Sequence, residues 1–398
     1  MNTQFATAMR RASQQMRAQN LAEATRLIQE ALNGRPRVDN VENDATPRRE
    51  ELLSSVARED VASAAGGADR LARMRAPLGD PLCALRQDQM NPDAFAGLPG
   101  MASSGLQTRA PSIPHGARFE TRSFSCAAGS RSYKLYVPAS AAVRPRGLVI
   151  MLHGCTQNSN DFALGTGMNE VAEARGFAVA YPGQTRSDNP SSCWNWFEPK
   201  DQRRGAGEPA ILAGLTQEIV AEFGIDPAQV FIAGLSAGGA MAAVMAETYP
   251  ELYAAVGVHS GLPTNAAKDV VSAFATMRGD PKATHPKRGG RRAVRAIVFQ
   301  GSADKTVHPS NAERIMDAAT PDAATVFTRK VAGLSGRRGA TITVVSDPAG
   351  ETVAERWLVD DAGHAWSGGR AGGTYVDPNG PDASAEMMRF FLRETLRS

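Results

Sequence analysis

The pattern of hydrophobic and polar positions changes along the chain and divides it into three parts. Residues 1–34 carry apolar side chains at roughly helical spacing among Arg, Gln and Glu, which predicts an amphipathic helix that ends near Gly34 and Pro36. Residues 35–114 are rich in Pro, Gly, Ser, Asp and Arg, a composition typical of a poorly ordered linker. For residues 115–398 we predict a folded domain, preceded by this helical and disordered extension.

Short apolar runs alternate with helical patterns throughout the predicted domain. The runs typical of strands cover residues 132–138, 147–153, 177–182, 229–236, 254–260 and 296–301, and the helical patterns cover residues 210–222, 238–248 and 384–396. Strands that are apolar at nearly every position are typical of parallel sheets buried on both faces. The alternation therefore predicts an α/β fold with a mostly parallel sheet and helices on both of its faces.

Composition and charge narrow the classes of function. The length of 398 residues suits one large α/β domain with an extension, and the net charge of +3 gives no reason to expect a nucleic-acid partner. No run reaches the roughly 18 apolar residues of a membrane span. The N-terminus lacks the apolar core of a secretory signal, so we expect a cytoplasmic protein without a transmembrane segment. Four cysteines without a CxxC pair favour neither a disulfide scaffold nor a zinc site.

A candidate nucleophile lies in the sequence Gly234-Leu235-Ser236-Ala237-Gly238. This G-x-S-x-G pattern follows a predicted strand and precedes a helix of small residues, which is the context that the motif requires. Only glycine leaves space for the crowded backbone on either side of such a sharp turn. The serine oxygen then stands at the carboxyl edge of the sheet, beside the positive end of the helix dipole. Ser236 is therefore the predicted nucleophile, and a plain Gly-rich turn is the alternative interpretation.

The predicted acid and base follow the serine, in the chain order Ser, Asp, His that hydrolases with this motif have. His364 lies in a Gly-containing loop after the strand-like residues 356–359, and Asp304 comes just after the strand at 296–301. An aspartate at a strand end can hold the imidazole tautomer and stabilise its positive form. We expect Ser236, Asp304 and His364 to form a catalytic triad. The alternatives that stay open are His308 as the base and Asp360 or Asp361 as the acid.

Two backbone amides are predicted to form an oxyanion hole. One belongs to Ala237, directly after the nucleophile, and the other belongs to the segment HGCTQN at residues 153–158, where Cys155 is the favoured donor. Gly154 allows the backbone to turn tightly enough to point that amide inward. A plain strand-to-loop turn is the alternative interpretation of this segment.

Taken together, these motifs resemble the poly(3-hydroxybutyrate) depolymerase family, whose wider group includes bacterial feruloyl and acetyl-xylan esterases. The resemblance extends from about Arg118 to Ser398 and rests on LHGCTQN, SSCWNWF, RGAGEPA, GLSAGGAM, GSADKTV, GHAWSGG and GPDASAEMMRFF. It implies an α/β-hydrolase fold and hydrolysis of 3-hydroxyalkanoate esters without a metal or an organic cofactor. It also implies the triad named above and an oxyanion role for Cys155.

The resemblance further suggests a disulfide between Cys155 and Cys193 that clamps the oxyanion loop, whereas a cytoplasmic location favours reduced thiols. Candidate substrate-binding residues are Trp194 and Trp196 in the CWNW segment and Trp366 in GHAWSGG. Flat apolar side chains of this kind suit an aliphatic ester chain. Packing of Trp194 and Trp196 in the core is the alternative interpretation.

The leading substrate is poly(3-hydroxybutyrate) or its oligomers, ahead of feruloyl, acetyl-xylan or short-chain carboxylic esters. A hypothesis of another class is a granule-binding scaffold, in which the N-terminal helix lies on the apolar surface of a storage granule. The complete set of triad residues favours the enzyme, because a scaffold has no need of all three side chains.

Overall fold

A computed structural model describes residues 110–280, 294–333 and 335–396. These residues belong to the second of the two units into which the chain divides, Leu78–Ser398. The helix predicted for residues 1–34 and nearly all of the linker predicted for residues 35–114 lie outside the described residues. The predicted domain boundaries therefore stay predictions.

A ten-stranded sheet forms the centre of the described unit, in the order β1-β2-β4-β3-β5-β6-β7-β10-β9-β8. The inner strands β4, β3, β5, β6, β7 and β10 pair in parallel, and the edge strands pair antiparallel. A separate two-stranded sheet consists of β11 and β12. The strands are β1 (Arg118–Cys126), β2 (Gly129–Val137), β3 (Gly147–Leu152), β4 (Phe177–Pro182), β5 (Val230–Leu235), β6 (Ala255–His259), β7 (Arg295–Gly301), β8 (Thr325–Val331), β9 (Ala340–Ser346), β10 (Thr352–Val359), β11 (Trp366–Ser367) and β12 (Val376–Asp377).

Helices cover both faces of the large sheet. The helices are α1 (Ser159–Thr166), α2 (Met168–Arg175), α3 (Gly207–Phe223), α4 (Ala237–Thr248), α5 (Val270–Met277), α6 (Ser310–Ala319) and α7 (Ala383–Phe391). Alternate residues of β3 belong to two apolar clusters: Leu148 packs with residues of α3 to α6, and Val149 packs with residues of α1, α2 and α7. Every residue of β3, β4 and β5 is buried, because both sides of each strand face a helical layer.

The structure confirms the predicted α/β-hydrolase fold, and each predicted strand region overlaps one of the strands β2 to β7. The edge strands β1, β8 and β9 were not predicted from the sequence. The side chains of β1 are all partly or fully exposed, and β8 is exposed at nearly every position. A strand of this kind lacks the continuous apolar run that identified the inner strands.

Candidate active site

A sharp turn between β5 and α4 carries Ser236, with backbone angles of φ 57° and ψ −120°. A positive φ costs energy for any residue with a side chain, so the surroundings must enforce it. The flanking glycines show how they do so. A Cβ atom on Gly234 would lie 2.4 Å from the backbone of Gly238, and one on Gly238 would lie 2.1 Å from the carbonyl oxygen of Leu152. The close approach of β5, α4 and the end of β3 therefore fixes the serine at the edge of the sheet.

Asp304 and His364 meet in the structure, as expected from the sequence for the acid and the base. Nδ1 of His364 lies 2.8 Å from Oδ2 of Asp304, and both side chains are nearly inaccessible to solvent. The second carboxylate oxygen accepts hydrogen bonds from the amides of Thr306 and Val307, both at 2.9 Å. Gln300 donates to Oδ2 at 3.0 Å. The carboxylate is thus held rigidly against the imidazole.

The same contacts decide the charge of Asp304. Burial by itself raises its pKa, but the hydrogen bond and charge of His364, with the two loop amides, outweigh burial and hold the pKa below the ordinary value. The group is therefore an ionised carboxylate at neutral pH. A buried carboxylate on Nδ1 directs the other ring nitrogen, Nε2, to act as the proton acceptor.

Nε2 of His364 is buried and has no hydrogen-bond partner in the described part of the chain. Ser236 therefore does not hydrogen bond to the imidazole in this structure, although the Asp304–His364 pair is formed. Hydrogen bonds between nucleophile and base are often long or poorly aligned before substrate binds. Nε2 of His364 is therefore a buried nitrogen atom that can still accept a hydrogen bond.

His259, at the end of β6, contacts both the nucleophile turn and the loop of the base. Its carbonyl oxygen accepts from the amide of Ser236 at 2.9 Å, and its Nε2 accepts from the amide of Ser367 at 2.9 Å. Its ring stacks between Trp366 and Phe299, with centroid distances of 5.1 and 5.7 Å. One buried residue therefore connects the two segments, through its backbone carbonyl on one side and its imidazole on the other.

The protonation state of His259 follows from these surroundings. Burial, and then the charge of His364, lower the pKa of His259 to about 3. The ring is neutral, with its proton on Nδ1 at 3.2 Å from the hydroxyl of Ser260. The sequence pattern places His259 near the end of the predicted strand at residues 254–260. Its position one strand beyond the nucleophile strand was the available signal.

The amides of Cys155 and Ala237 have no protein acceptor among the described residues. By contrast, the Gly154 amide donates to Oε1 of Gln157 at 2.9 Å and the Thr156 amide donates to Ser191 at 2.8 Å. Cys155, Ala237 and Ser236 line the same cavity. Two unused donors beside a serine hydroxyl are the arrangement that stabilises a tetrahedral oxyanion.

A buried polar network holds the loop that carries the Cys155 amide. Besides Gly154, Gln157 contacts Asp161, whose carboxylate lies 2.9 Å from the Gln157 side chain. Asp161 also accepts from the amide of Thr374 at 2.9 Å. The hydroxyl groups of Thr156 and Tyr375 lie 3.1 Å apart. The oxyanion loop is therefore fixed by the loop that follows β11, a contact that was not foreseen from the sequence.

Cys155 and Cys193 are joined by a disulfide. Glu208, buried at the start of α3, holds the cysteine-bearing segment from the other side by accepting from the amide and side chain of Asn195 at 2.8 and 2.9 Å. Burial, followed by the charge of Asp201, raises the pKa of Glu208 to about 7. This carboxylate belongs to the RGAGEPA motif and lies in the first turn of α3.

The three tryptophans differ in their positions. Trp196 is buried and lines the cavity beside Ser236. Trp194 is fully buried and donates to the carbonyl oxygen of His153 at 3.1 Å. Trp366 is also buried, donating to Ser384 at 3.1 Å. Trp194 and Trp366 are therefore packing residues that support the loops of the site, because their indole N–H groups and rings are already occupied by protein.

The alternative acids and bases do not meet at the site. His308 is exposed, with Nδ1 at 3.0 Å from the hydroxyl of Ser310. Asp360 lies 3.9 Å from Lys330, and Asp361 is exposed at the start of the loop. Among the residues that the structure describes, no group of three or more His, Cys, Asp or Glu side chains has the geometry of a metal site.

The fold and sequence can be compared with those of known proteins. An acetyl xylan esterase from Aspergillus awamori has a similar fold, with a TM-score of 0.53 and 21% identity over 70% of this chain and 99% of that one. Poly(3-hydroxyalkanoate) depolymerase C of Paucimonas lemoignei is 32% identical over 241 residues, which are 58% of this chain and 56% of the relative. A probable acetylxylan esterase A of Aspergillus fumigatus is 29% identical over 234 residues, 54% of this chain and 62% of the relative.

The chain thus spans less than two thirds of the length of these two relatives. A family model gives the more general assignment, since it matches residues 131–353 and describes the esterase PHB depolymerase family. The matched range contains the nucleophile turn, the oxyanion loop and Asp304, and it ends before His364. The chain belongs to the esterase PHB depolymerase family.

Proposed function

We propose that this protein is a serine esterase that hydrolyses carboxylic esters through an acyl-enzyme intermediate. The observation that carries the proposal is the buried Asp304–His364 pair with its free Nε2, whose loop is joined through His259 to the strained turn of Ser236. The names of the two relatives, a depolymerase of a polyester and an acetylxylan esterase, support the same reaction class.

In the proposed mechanism, Oγ of Ser236 attacks the carbonyl carbon of the ester while Nε2 of His364 accepts the hydroxyl proton. The amides of Cys155 and Ala237 donate to the negatively charged oxygen of the tetrahedral intermediate. Collapse of this intermediate breaks the bond to the alcohol, which leaves with the proton from His364. Water then attacks the acyl-enzyme and gives a proton to His364. When the second tetrahedral intermediate collapses, His364 returns this proton to Oγ of Ser236 and the acid is released.

Asp304 acts through the imidazole throughout this cycle. Its carboxylate holds the tautomer with the proton on Nδ1 and stabilises the imidazolium that forms when Ser236 is deprotonated. The amides of Thr306 and Val307 keep the carboxylate itself ionised. The imidazole is therefore held by the carboxylate of Asp304, and this carboxylate is held in turn by the two amides.

Within this class, poly(3-hydroxybutyrate) or its oligomers are the proposed substrates. The family model and the polyhydroxyalkanoate depolymerase of Paucimonas lemoignei support this choice. Acetylated xylan is the alternative, supported by the Aspergillus fumigatus relative. A side-by-side assay of amorphous poly(3-hydroxybutyrate), its dimer, acetylated xylan and methyl ferulate decides between them, because loops set specificity on this fold.

The cellular location stays a prediction, as does contact with storage granules through the N-terminal helix, which lies outside the described residues. Of the helices in the described ranges, none has the length and hydropathy that crossing a bilayer requires. Fractionation of cells into cytosol, granules and medium, followed by immunoblotting, tests both predictions.

The reaction is tested with Ser236→Ala, assayed on p-nitrophenyl butyrate. We expect a fall in kcat of about 10⁴-fold or more, because no other group replaces the nucleophile. Ser123→Ala, on the edge strand β1, is the matched control and keeps full activity. A fluorophosphonate probe should label Ser236 in the wild type, as read by mass spectrometry. Full hydrolysis by the Ser236→Ala variant refutes the proposal.

A further inference from the structure

A buried carboxylate behind the oxyanion loop, that of Glu208, takes no part in the steps of the proposed mechanism. Glu208 lies in the first turn of α3 and is only 4% exposed. Its oxygens accept from the amide of Asn195 at 2.8 Å, from the side chain of Asn195 at 2.9 Å and from the side chain of Gln184. Arg131, also buried, lies 3.8 Å away and compensates the charge. Several donors and a nearby cation therefore hold this carboxylate in one position.

Gln184 connects this carboxylate to the start of the oxyanion loop. Its side-chain amide donates to Glu208 and, at 3.0 Å, to the carbonyl oxygen of Cys193. Its backbone amide donates to Nε2 of His153 at 3.0 Å. Because Nε2 accepts, Nδ1 of His153 carries the proton and donates to the carbonyl oxygen of Gly154 at 2.7 Å. Glu208 therefore restrains the two residues that precede the oxyanion donor.

Asn195 connects the carboxylate to the other end of the loop. Its side-chain oxygen accepts from Asn189 at 2.8 Å, and the side-chain oxygen of Asn189 accepts from the amide of Ser191 at 2.9 Å. The carbonyl oxygen of Ser191 accepts in turn from the amide of Thr156 at 2.8 Å. Glu208 therefore also restrains the residue that directly follows the oxyanion donor.

The disulfide gives a third connection, between Cys193 in the same segment and Cys155 itself. The three connections reach residues 153, 155 and 156, and all of them lead back to the carboxylate of Glu208. An oxyanion donor acts only when it lies within hydrogen-bond distance of the oxygen that becomes charged. A small displacement of the loop therefore weakens stabilisation of the transition state without removing any group that contacts the substrate.

We propose that Glu208 is a positioning residue of the oxyanion hole, which fixes the direction of the Cys155 amide through Gln184, Asn195 and the disulfide. This role rests on the proposed esterase function and adds a residue to that same site. Glu208 is absent from the wall of the cavity beside Ser236, so it acts on the reaction only through the loop. A carboxylate accepts from all three donors, whereas a glutamine in its place turns its NH2 group toward at least one of them. The neutral side chain of equal size therefore loosens the loop while the core stays filled.

Glu208→Gln tests the proposal, with Glu218→Gln as the matched control because it makes the same change at an exposed position of the same helix. The assay measures kcat and KM for p-nitrophenyl butyrate and the inhibition constant Ki of butylboronic acid. This acid forms a tetrahedral adduct with a serine nucleophile and so mimics the transition state. The pH is held at about 8, since burial raises the pKa of Glu208 to about 7 and only the ionised group accepts from all three donors.

For Glu208→Gln we expect kcat to fall about 10- to 100-fold, because the Cys155 amide moves away from the oxyanion. KM should stay within about 2-fold, and Ki should rise by the factor by which kcat falls, because the weakened contact exists only in the tetrahedral state. A partly inactive preparation lowers kcat but leaves KM and Ki unchanged. Glu218→Gln should leave all three constants within about 2-fold, as expected for a surface position.

Asn195→Ala is the second variant, for the case that the melting curve of Glu208→Gln shows no folded protein. It removes one of the three donors and the contact with Asn189 but keeps the backbone amide, at a residue that is only partly buried. We expect kcat to fall and Ki to rise about 3- to 10-fold, because the loop is loosened at one end only.

An unchanged Ki in folded Glu208→Gln overturns the positioning role, whether or not kcat falls, and so does a change confined to KM. If Glu208→Gln does not fold, an unchanged Ki for Asn195→Ala overturns it. Each of these results leaves the esterase function standing. A wild-type protein without hydrolysis and without fluorophosphonate labelling of Ser236 refutes the esterase function, and the positioning role with it. The two failures are therefore distinguishable.

Discussion

The turn at Ser236 and the loop of His364 are held in place by different means. The turn at Ser236 is fixed by backbone contacts, since glycines on both sides are packed against main-chain atoms of β3 and α4. The loop of His364 is fixed by side chains, namely the carboxylate of Asp304 and the ring of His259. Gly363, next to the base, has no atom within 4 Å of the position of a Cβ.

This difference predicts which mutations each region tolerates. Backbone packing specifies the turn locally, within a few residues of sequence, and a single added carbon has no space there. Hydrogen bonds to residues distant in sequence fix the conformation of the loop. A side chain added at Gly363 should therefore be tolerated, whereas loss of a hydrogen-bond acceptor should not. A mutation that adds a methyl group should therefore be more harmful in the turn at Ser236. A mutation that removes a hydrogen-bond acceptor should be more harmful in the loop of His364.

The largest expected effect comes from Gly238→Ala. Its Cβ would lie 2.1 Å from the carbonyl oxygen of Leu152, and main-chain atoms in a packed parallel sheet cannot move away. We expect a loss of about 3–5 kcal/mol in the free energy of unfolding, or no folded protein. Gly363→Ala adds the same methyl group in the base loop and should keep a wild-type melting temperature. Equal melting temperatures for the two variants would contradict the comparison.

The second effect, on activity rather than folding, is expected for Asp304→Asn. The amide cannot accept from all of its present donors, and it no longer stabilises an imidazolium. We expect kcat on p-nitrophenyl butyrate to fall about 10³- to 10⁴-fold. Asp361→Asn, at an exposed position of the His364 loop with φ 53°, is the control, because asparagine tolerates that backbone conformation. Similar kcat values for both variants would remove Asp304 from the triad.

A smaller effect separates the two functions of His259. His259→Phe keeps the stacking on Trp366 and Phe299 but loses the acceptor of the Ser367 amide, whereas His259→Gln keeps an acceptor and loses the stacking. If the hydrogen bond positions the base, His259→Phe should lower kcat about 10- to 100-fold with KM nearly unchanged, and His259→Gln should retain more activity. A better result for Phe than for Gln would show that the ring acts only by packing.

The fold was predictable because helices cover both faces of the inner strands, so these strands appear in the sequence as continuous apolar runs. The structure confirms the predicted fold. The nucleophile turn could be identified within five consecutive residues, since its strain and its glycines are local. His259 and Glu208 could not be given roles, because their partners lie 108 and 13 residues away in sequence. Their contacts exist only after the strands are placed in order. The sequence does not show that the indole nitrogens of Trp194 and Trp366 donate to protein groups, because their acceptors lie far away along the chain.

The β8–β9 hairpin separates Asp304 from His364 in sequence but forms the outer edge of the sheet. A change in its length therefore alters the spacing of acid and base along the chain without changing their distance in space. A spacing rule between these two residues would consequently be a poor criterion for finding distant homologues.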